Sequence, residues 1–570
     1  MNPRGPRGAT GSQGLPLGPG LGTPAVESWV LRSYKPYIER RLREGLVSSR
    51  LIPRTMASQH PDNACLPDWC RNEVIAGDDE VYEVYFDYAV LGCQEAMWDA
   101  EGKDIDPHVV RKLFTNHRDF FSEKRLGTDV FLTLRLPNPS IEVAEKKVFI
   151  ETLESIPRHN DIARAMYGED FGEALFEIIL PFTTAPEDLL RVKEIYRKVV
   201  VEPTCKYIEA DGHLLREFIG DVTPQDVEVI PLFEDMKTLF NCGEIIRRYI
   251  QTARPSYLRV FIARSDPALN YGFINSVLLA KLALSEAEKA SLNLGIPIYP
   301  IIGAGSLPFR GHNSPRNIDG FVEEYRGIWT VTIQSAFRYD YPIDEVRQAI
   351  ARLNAMLPRG RARILEDWEK TQIRQIIMKL SSTYQKMVEK CIDAVNRVVE
   401  LVPTRRSRKL HIGLFGYSRI VSGRAAPRAI PFVAALYSLG LPPEFIGLKA
   451  IREMDGESLN LLNETFVRLK EDLREAGRHV VWDAVSILSE YKEEFSKILG
   501  RGFLSEFLPS YLEDLSVAQE ILGVKVGENS LYYRRYTNAI ENFLIYMIEN
   551  DAVNARSELV RAAAMRRSLG

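Results

Sequence analysis

A chain of 570 residues, 45% hydrophobic and 26% charged, is globular and too long for one small core, so one large domain or two are expected. Its formal net charge of −4 lacks the basic excess of a duplex-binding protein, which argues against nucleic acid as a partner. Six dispersed cysteines with no Cys-x-x-Cys argue against a zinc site or a disulfide framework and fit a reducing cytosol, and no uncharged run reaches the ~18 apolar residues of a membrane helix.

The first 24 residues are rich in glycine and proline and lack the continuous apolar core of a signal peptide. Glycines at 5, 8, 11 and 14 give too few Gly-x-y triplets for a collagen helix, so disorder is expected there. Residues 25–570 read as a single domain, since no Pro/Gly/Ser linker divides them. Next comes the polar stretch TMASQHPDN, residues 55–63. His60 within it is either part of a surface turn or a carrier of protons.

Short apolar, β-rich runs then recur at Tyr82–Phe86, Phe131–Leu136, Glu177–Phe182, Val227–Phe233, Leu258–Ala263, Ile296–Ile302, Trp329–Ile333 and Leu410–Phe415. Near-continuous apolar runs of this length suit strands buried on both faces. The intervals show helical spacing, as over Glu187–Val200, Gly243–Ala253, Phe273–Ala290 and Ile343–Leu357. Eight strands alternating with helices predict an α/β fold, a (β/α)8 TIM-type barrel. After about residue 440 the pattern is nearly all helical, at Leu459–Ala476, Val480–Leu499 and Asn538–Glu549, and these helices are expected to pack on the barrel.

Chemistry in such a barrel sits at the C-terminal ends of the strands. There the sequence places Arg135, Glu234, Asp266, Arg310, Gln334, Arg419 and Arg428. Glu234 and Asp266, on neighbouring strands, are either loop carboxylates and caps or a pair holding a hard divalent ion such as Mg²⁺. The arginines suit a small substrate carrying phosphate or carboxylate, which a planar guanidinium binds bidentately. The basic run at 405–409 reads as a solvated connection.

The motifs RTMASQHPDN, LRLPNPS, VIPLFE, FIARSDPALNYG, LPFRG, TVTIQSAFRYDYP, LHIGLFGYSR, PRAIPFVAALYSLGLPPEFIGL and the terminal MRRSLG run in order from about residue 50 to the end. Together they resemble archaeal-type phosphoenolpyruvate carboxylase. The resemblance implies a cytosolic homotetramer built on an elaborated (β/α)8 barrel, joining phosphoenolpyruvate and bicarbonate with Mg²⁺ or Mn²⁺ to give oxaloacetate and phosphate. It implies that His60 is the catalytic histidine and that Glu234 and Asp266 are the metal-binding carboxylates. Arg310 then belongs to the loop over the phosphate, Arg419 and Arg428 lie near phosphate and carboxylate, and Arg135, Gln334 and Gly570 help to hold substrate. Where the longer branch of the family has a catalytic lysine, this chain has Leu269, and Arg316 has the spacing of that branch's second loop arginine. The expected route passes through carboxyphosphate and a pyruvate enolate, with His60 as base and the Gly303–Asn317 segment closing over the site. The rival reading is another metal-dependent barrel lyase of phosphoenolpyruvate or pyruvate, which would not require bicarbonate.

Overall fold

The computed structural model describes residues 46–47, 50–103, 105–208, 212–407, 419–421 and 424–570. Eight parallel strands close into a barrel: β1 Thr55–Ala57, β2 Glu95–Asp99, β3 Phe131–Arg135, β4 Glu177–Leu180, β5 Glu228–Phe233, β6 Leu258–Ala263, β7 Ile298–Gly303 and β8 Thr330–Ile333. β8 pairs with β1 through Val331↔Thr55 and Ile333↔Ala57, which closes the ring.

The expected runs from Phe131 to Ile333 become β3 to β8, within two residues at each end. The first expected strand is a helix instead, Asp78–Phe86. Gly77, at φ 61°, starts it, and Asp78, Asp79 and Glu80 fill a first turn where negative charge is favoured. It buries Glu80, Val81, Glu83 and Val84, the spacing of one helix face, so tertiary packing overrides the β propensity of its tyrosines and valines. The place in the barrel goes to β1, the three residues at the head of the TMASQHPDN stretch, and to β2, whose Glu95 and Asp99 break the apolar pattern. The expected run Leu410–Phe415 and the leader 1–24 lie outside the described residues.

Period-two alternation along the strands decides what points inward. Near the barrel floor, Glu95 of β2, Glu177 of β4, Arg259 of β6 and Thr330 of β8 meet as one layer drawn from alternate strands. Arg259 donates bidentately to Glu95 at 2.8 and 2.7 Å and to Glu177 at 2.7 Å. Two residues further along β2, β4 and β6 lies an apolar layer of Met97, Ile179 and Phe261, joined by Met56, Ile230, Leu232 and Ile301 from other strands. The next inward step along β2, β3 and β5 brings Asp99, Arg135 and Glu234 to the mouth.

Helices surround the barrel, and several expected ones appear longer or divided. Gly243–Ala253 extends back to Met236, while Leu459–Ala476 splits into Gly456–Thr465 and Leu469–Gly477. The helix Asp367–Val399 runs for 33 residues and carries the chain from the barrel into the C-terminal helices. Among the described residues no single helix is long and apolar enough to cross a membrane.

The floor layer yields a stability prediction. Arg259→Leu leaves two buried carboxylates unmatched and is expected to destabilise the fold by about 3–5 kcal/mol, read from the denaturant midpoint. Replacing Arg259, Glu95 and Glu177 together by apolar residues is expected to destabilise it less, because no buried charge is then left alone.

Candidate active site

A cavity of about 330 Å³ opens at the C-terminal mouth of the barrel. His60, Arg135, Glu234, Asp266, Arg310 and Arg428 all line it, although in sequence they run from residue 60 to residue 428. Each arrives by a different local route. Arg135 ends β3 and Glu234 follows β5 directly. Asp266 lies in the first turn of the helix Ser265–Tyr271 that follows β6. That helix has no side-chain cap, whereas Asp235 caps the helix Met236–Ala253 through the N–H groups of Lys237 and Thr238. The capping alternative therefore applies to Asp235 and not to Asp266.

His60 follows β1 in a loop pinned from three directions. Arg338 donates to the Ser58 carbonyl at 2.7 Å. Asp340 accepts from the N–H groups of Ala64 and Cys65 at 2.8 and 2.7 Å. Arg405 donates to the carbonyls of Asn63 and Ala64. The ring itself is oriented through Nδ1, which lies 2.9 Å from the Ser58 hydroxyl. A polar loop with a fixed backbone and a half-buried imidazole facing a cavity suits a proton acceptor better than a surface turn.

Arg135 binds Asp99 through Nε and Nη2 at 2.8 and 2.6 Å and reaches Glu101 at 3.0 Å. Burial alone would lower its pKa, but the two carboxylates outweigh it and hold the guanidinium above its ordinary value. Arg310 is fully buried. Its Nε donates to the Ser265 hydroxyl at 3.0 Å, and Nη1 donates to Asp62 at 3.0 Å and to the Gly570 carbonyl at 2.6 Å. Nη2 donates to Gln334 at 2.5 Å. Burial pulls its pKa below the ordinary value despite Asp62 and Asp266 nearby, yet a guanidinium remains charged. A Cβ on Gly305 would sit 2.8 Å from the Arg310 Cζ, so the loop needs glycine there to pass the side chain.

Gln334 and Gly570 stand behind the cavity wall, each accepting from Arg310. The tail reaches this point because the Leu569 N–H donates to the Asp62 carbonyl at 2.7 Å. A Cβ on Gly570 would meet the Ile430 carbonyl at 2.1 Å, so no larger residue fits the docked end. Arg428 precedes the helix Ala429–Ser438. The backbone of Arg419 lies in a hairpin, Arg419–Val421 with Arg424–Ala426, and its side chain is outside the described part. The Gly303–Asn317 segment is packed, with residues 304–311 buried and His312 bound to Asp472 at 2.6 Å. Leu269 is buried and offers only its carbonyl, to Tyr384. Arg316 pairs with Glu345 on the surface at 2.9 Å and does not line the cavity.

A family model described as phosphoenolpyruvate carboxylase matches residues 52–570. The chain belongs to the phosphoenolpyruvate carboxylase family. Among its relatives, the phosphoenolpyruvate carboxylase of Caldivirga maquilingensis is 44% identical over 522 residues, covering 91% of this chain and 100% of the relative. That of Metallosphaera sedula is 44% identical over 521 residues, with 91% and 100% covered. That of Picrophilus torridus is 40% identical over 524 residues, with 91% and 99% covered. In this phosphoenolpyruvate carboxylase chain the sequence reading missed three features of the site. Asp62, two residues after His60, is the buried partner of Arg310. Glu101, just beyond β2, lines the cavity. Arg405 and Arg406, read as part of a solvated run, are buried in the cavity wall, Arg406 through a bidentate bond to Glu83 at 2.6 and 2.5 Å. Charge density alone gave no sign of that burial, because Glu83 and the carbonyls of 63 and 64 lie more than 300 positions away.

The docked tail is testable. Gly570→Ala is expected to lower kcat/KM by about tenfold or more, through misplacement of Arg310, with little change in melting midpoint. An alanine variant with unchanged kcat/KM would remove the tail from the site.

Proposed function

We propose that this cavity carboxylates phosphoenolpyruvate with bicarbonate to give oxaloacetate and phosphate, with His60 as the base and the arginines as the phosphate and carboxylate clamp. Membership of the phosphoenolpyruvate carboxylase family carries the reaction. The observation that carries the residue roles is the convergence of His60, Glu234, Asp266 and the arginines on one cavity at the strand ends.

The carboxylate pair fits a divalent ion of the hard type. The donors are oxygen only, and among the described residues no group of three or more His, Cys, Asp or Glu comes together as a metal cage. Two carboxylates plus oxygens from substrate and water is the manner in which Mg²⁺ is commonly held, and Mn²⁺ suits the same donors. Glu234 and Asp266 would hold the ion, which when bound draws off negative charge from the substrate oxygens.

Both substrates are anions, so the chain must first bring them together. Arg310 and Arg428 hold phosphoryl oxygens while a bicarbonate oxygen attacks phosphorus and the bond from phosphorus to the enol oxygen breaks. The products of this step are carboxyphosphate and the enolate of pyruvate. His60 takes the proton of carboxyphosphate, which separates into CO2 and phosphate. The enolate carbon then attacks CO2. Val399, Val402, Pro403 and Ile430 give the cavity an apolar side, which keeps water from the enolate and favours neutral CO2 over its hydrated form. A cytosolic homotetramer belongs to the same proposal and rests on the resemblance of the motifs; sedimentation should give a species of four chains.

The decisive experiment is oxaloacetate formation from phosphoenolpyruvate, coupled to malate dehydrogenase, with and without bicarbonate. Absolute dependence on bicarbonate is expected; turnover without it would favour the rival lyase. His60→Asn is expected to lower oxaloacetate formation by about 10²–10⁴-fold while bicarbonate-dependent phosphate release persists. Full carboxylation by that variant would take the proton step away from His60. Glu234→Ala and Asp266→Ala are each expected to weaken Mn²⁺ binding, followed by its paramagnetic resonance signal, and unchanged affinity in both would dismiss them as ligands.

A further inference from the structure

Three guanidinium groups in the cavity wall are matched by a carboxylate: Arg135 by Asp99 and Glu101, Arg310 by Asp62, and Arg406 by Glu83. Arg405, 5% exposed in the same wall, is not. Its Nε donates to the Asn63 carbonyl at 3.2 Å and its Nη2 to the Ala64 carbonyl at 2.8 Å. Both acceptors are neutral main-chain groups. Among the described residues no carboxylate lies within ion-pair distance of Arg405, and its Nη1 makes no hydrogen bond. Burial pulls its pKa below the ordinary value, and the more distant Glu73 and Asp340 offset this only in part. A guanidinium nevertheless keeps its charge, so the wall presents a fixed cation to whatever enters. A buried, unmatched charge is unfavourable by itself and calls for an anion.

The surroundings of Arg405 narrow the choice of anion. Its two carbonyl partners belong to the third and fourth residues after His60. Its chain neighbours Val402 and Pro403 supply part of the apolar side of the cavity. A fixed cation, a proton acceptor and an apolar surface together match the needs of a bicarbonate-derived carboxylate. The cation holds its oxygens, the base takes its proton, and the apolar surface receives the neutral CO2 that results.

We propose that Arg405 is a further substrate-binding residue of this site, holding the carboxylate oxygens of bicarbonate and of the carboxyphosphate formed from it. The inference rests on the carboxylase reading, and it gives the loop clamp around His60 a second role.

The test compares Arg405→Gln and Arg405→Lys in the full chain, with KM measured separately for bicarbonate and phosphoenolpyruvate and with melting midpoints. Glutamine keeps donors for the carbonyls but no charge. It is expected to raise the KM for bicarbonate about tenfold or more, the loss of one charge-assisted hydrogen bond, with the KM for phosphoenolpyruvate within about twofold. Lysine keeps the charge without the planar fork and is expected to raise the bicarbonate KM less than glutamine does. If the glutamine variant does not fold, the lysine variant decides, since a selective rise in the bicarbonate KM is still expected. Unchanged bicarbonate KM in the folded variants, or equal rises for both substrates together with a lowered midpoint, overturns the proposal and leaves Arg405 as a clamp. Wild-type protein that makes no oxaloacetate in the same assay would instead defeat the carboxylase reading.

Discussion

The buried ion pair between Asp62 and Arg310 joins five separated parts of the chain at the barrel mouth. Asp62 brings the His60 loop and accepts from the Ala336 N–H at 2.9 Å, which ties that loop to the segment after β8. Arg310 brings the loop after β7, reaches Ser265 beside the candidate metal carboxylate Asp266, and holds Gln334 and the carbonyl of the last residue. Taking two charges out of water largely cancels their attraction, so such a pair adds little net stability. What it specifies is position. With one partner gone, the other is a buried uncompensated charge, and every group that it orients is released together. The precision of the candidate site therefore depends on this pair more than on the apolar core around it.

The barrel supplies the second constraint, which is parity. Inward-facing residues recur every second position, so the floor residue Glu95 and the mouth residue Asp99 belong to the same inward row of β2. The same holds for Thr133 and Arg135 in β3, and for Leu232 and Glu234 across the end of β5. The floor layer closes on itself through Arg259, which satisfies its carboxylates within the barrel. At the mouth, Arg135 is matched by Asp99 and Glu101 but lines the cavity together with Glu234. One architecture thus makes a structural polar layer at one end and the candidate site at the other, separated by a layer of methionine, isoleucine, leucine and phenylalanine.

These constraints explain what could be read from the sequence. Strands β3 to β8 announce themselves because both faces are buried and their residues form apolar runs. The carboxylates and arginines that follow them could be found by asking what comes after each run. β1 and β2 could not be found that way. β1 has three residues, and β2 spends inward positions on Glu95 and Asp99, which look polar in sequence and are buried in the fold. The run Tyr82–Phe86 has the composition of a strand, but its acidic start and one-sided burial make it a helix. Asp62 and Arg310 are 248 positions apart, and nothing local in either predicts the other. The same is true of Arg405: a basic run looks solvated until its partners, contributed by the loop after β1, are in view.

The C-terminal helices now have a role beyond packing. Arg428 and the apolar Ile430 enter the cavity from the start of the helix Ala429–Ser438, and the docking of Gly570 against the Ile430 carbonyl fixes the far end of the chain on the same helix. Val399, Val402 and Pro403 reach the cavity from the end of the helix Asp367–Val399 and the residues after it. The barrel strands contribute charge to the mouth, whereas this later part of the chain contributes most of the apolar surface. A reaction that needs anions bound and water excluded requires both surfaces at once. An eight-stranded barrel whose strand ends carry only charge would bind its substrates in a hydrated pocket, where a free enolate takes a proton from water before it meets CO2. In the proposed reaction, the helix-rich third of the chain is thus the part that would let a charged barrel mouth handle a neutral intermediate.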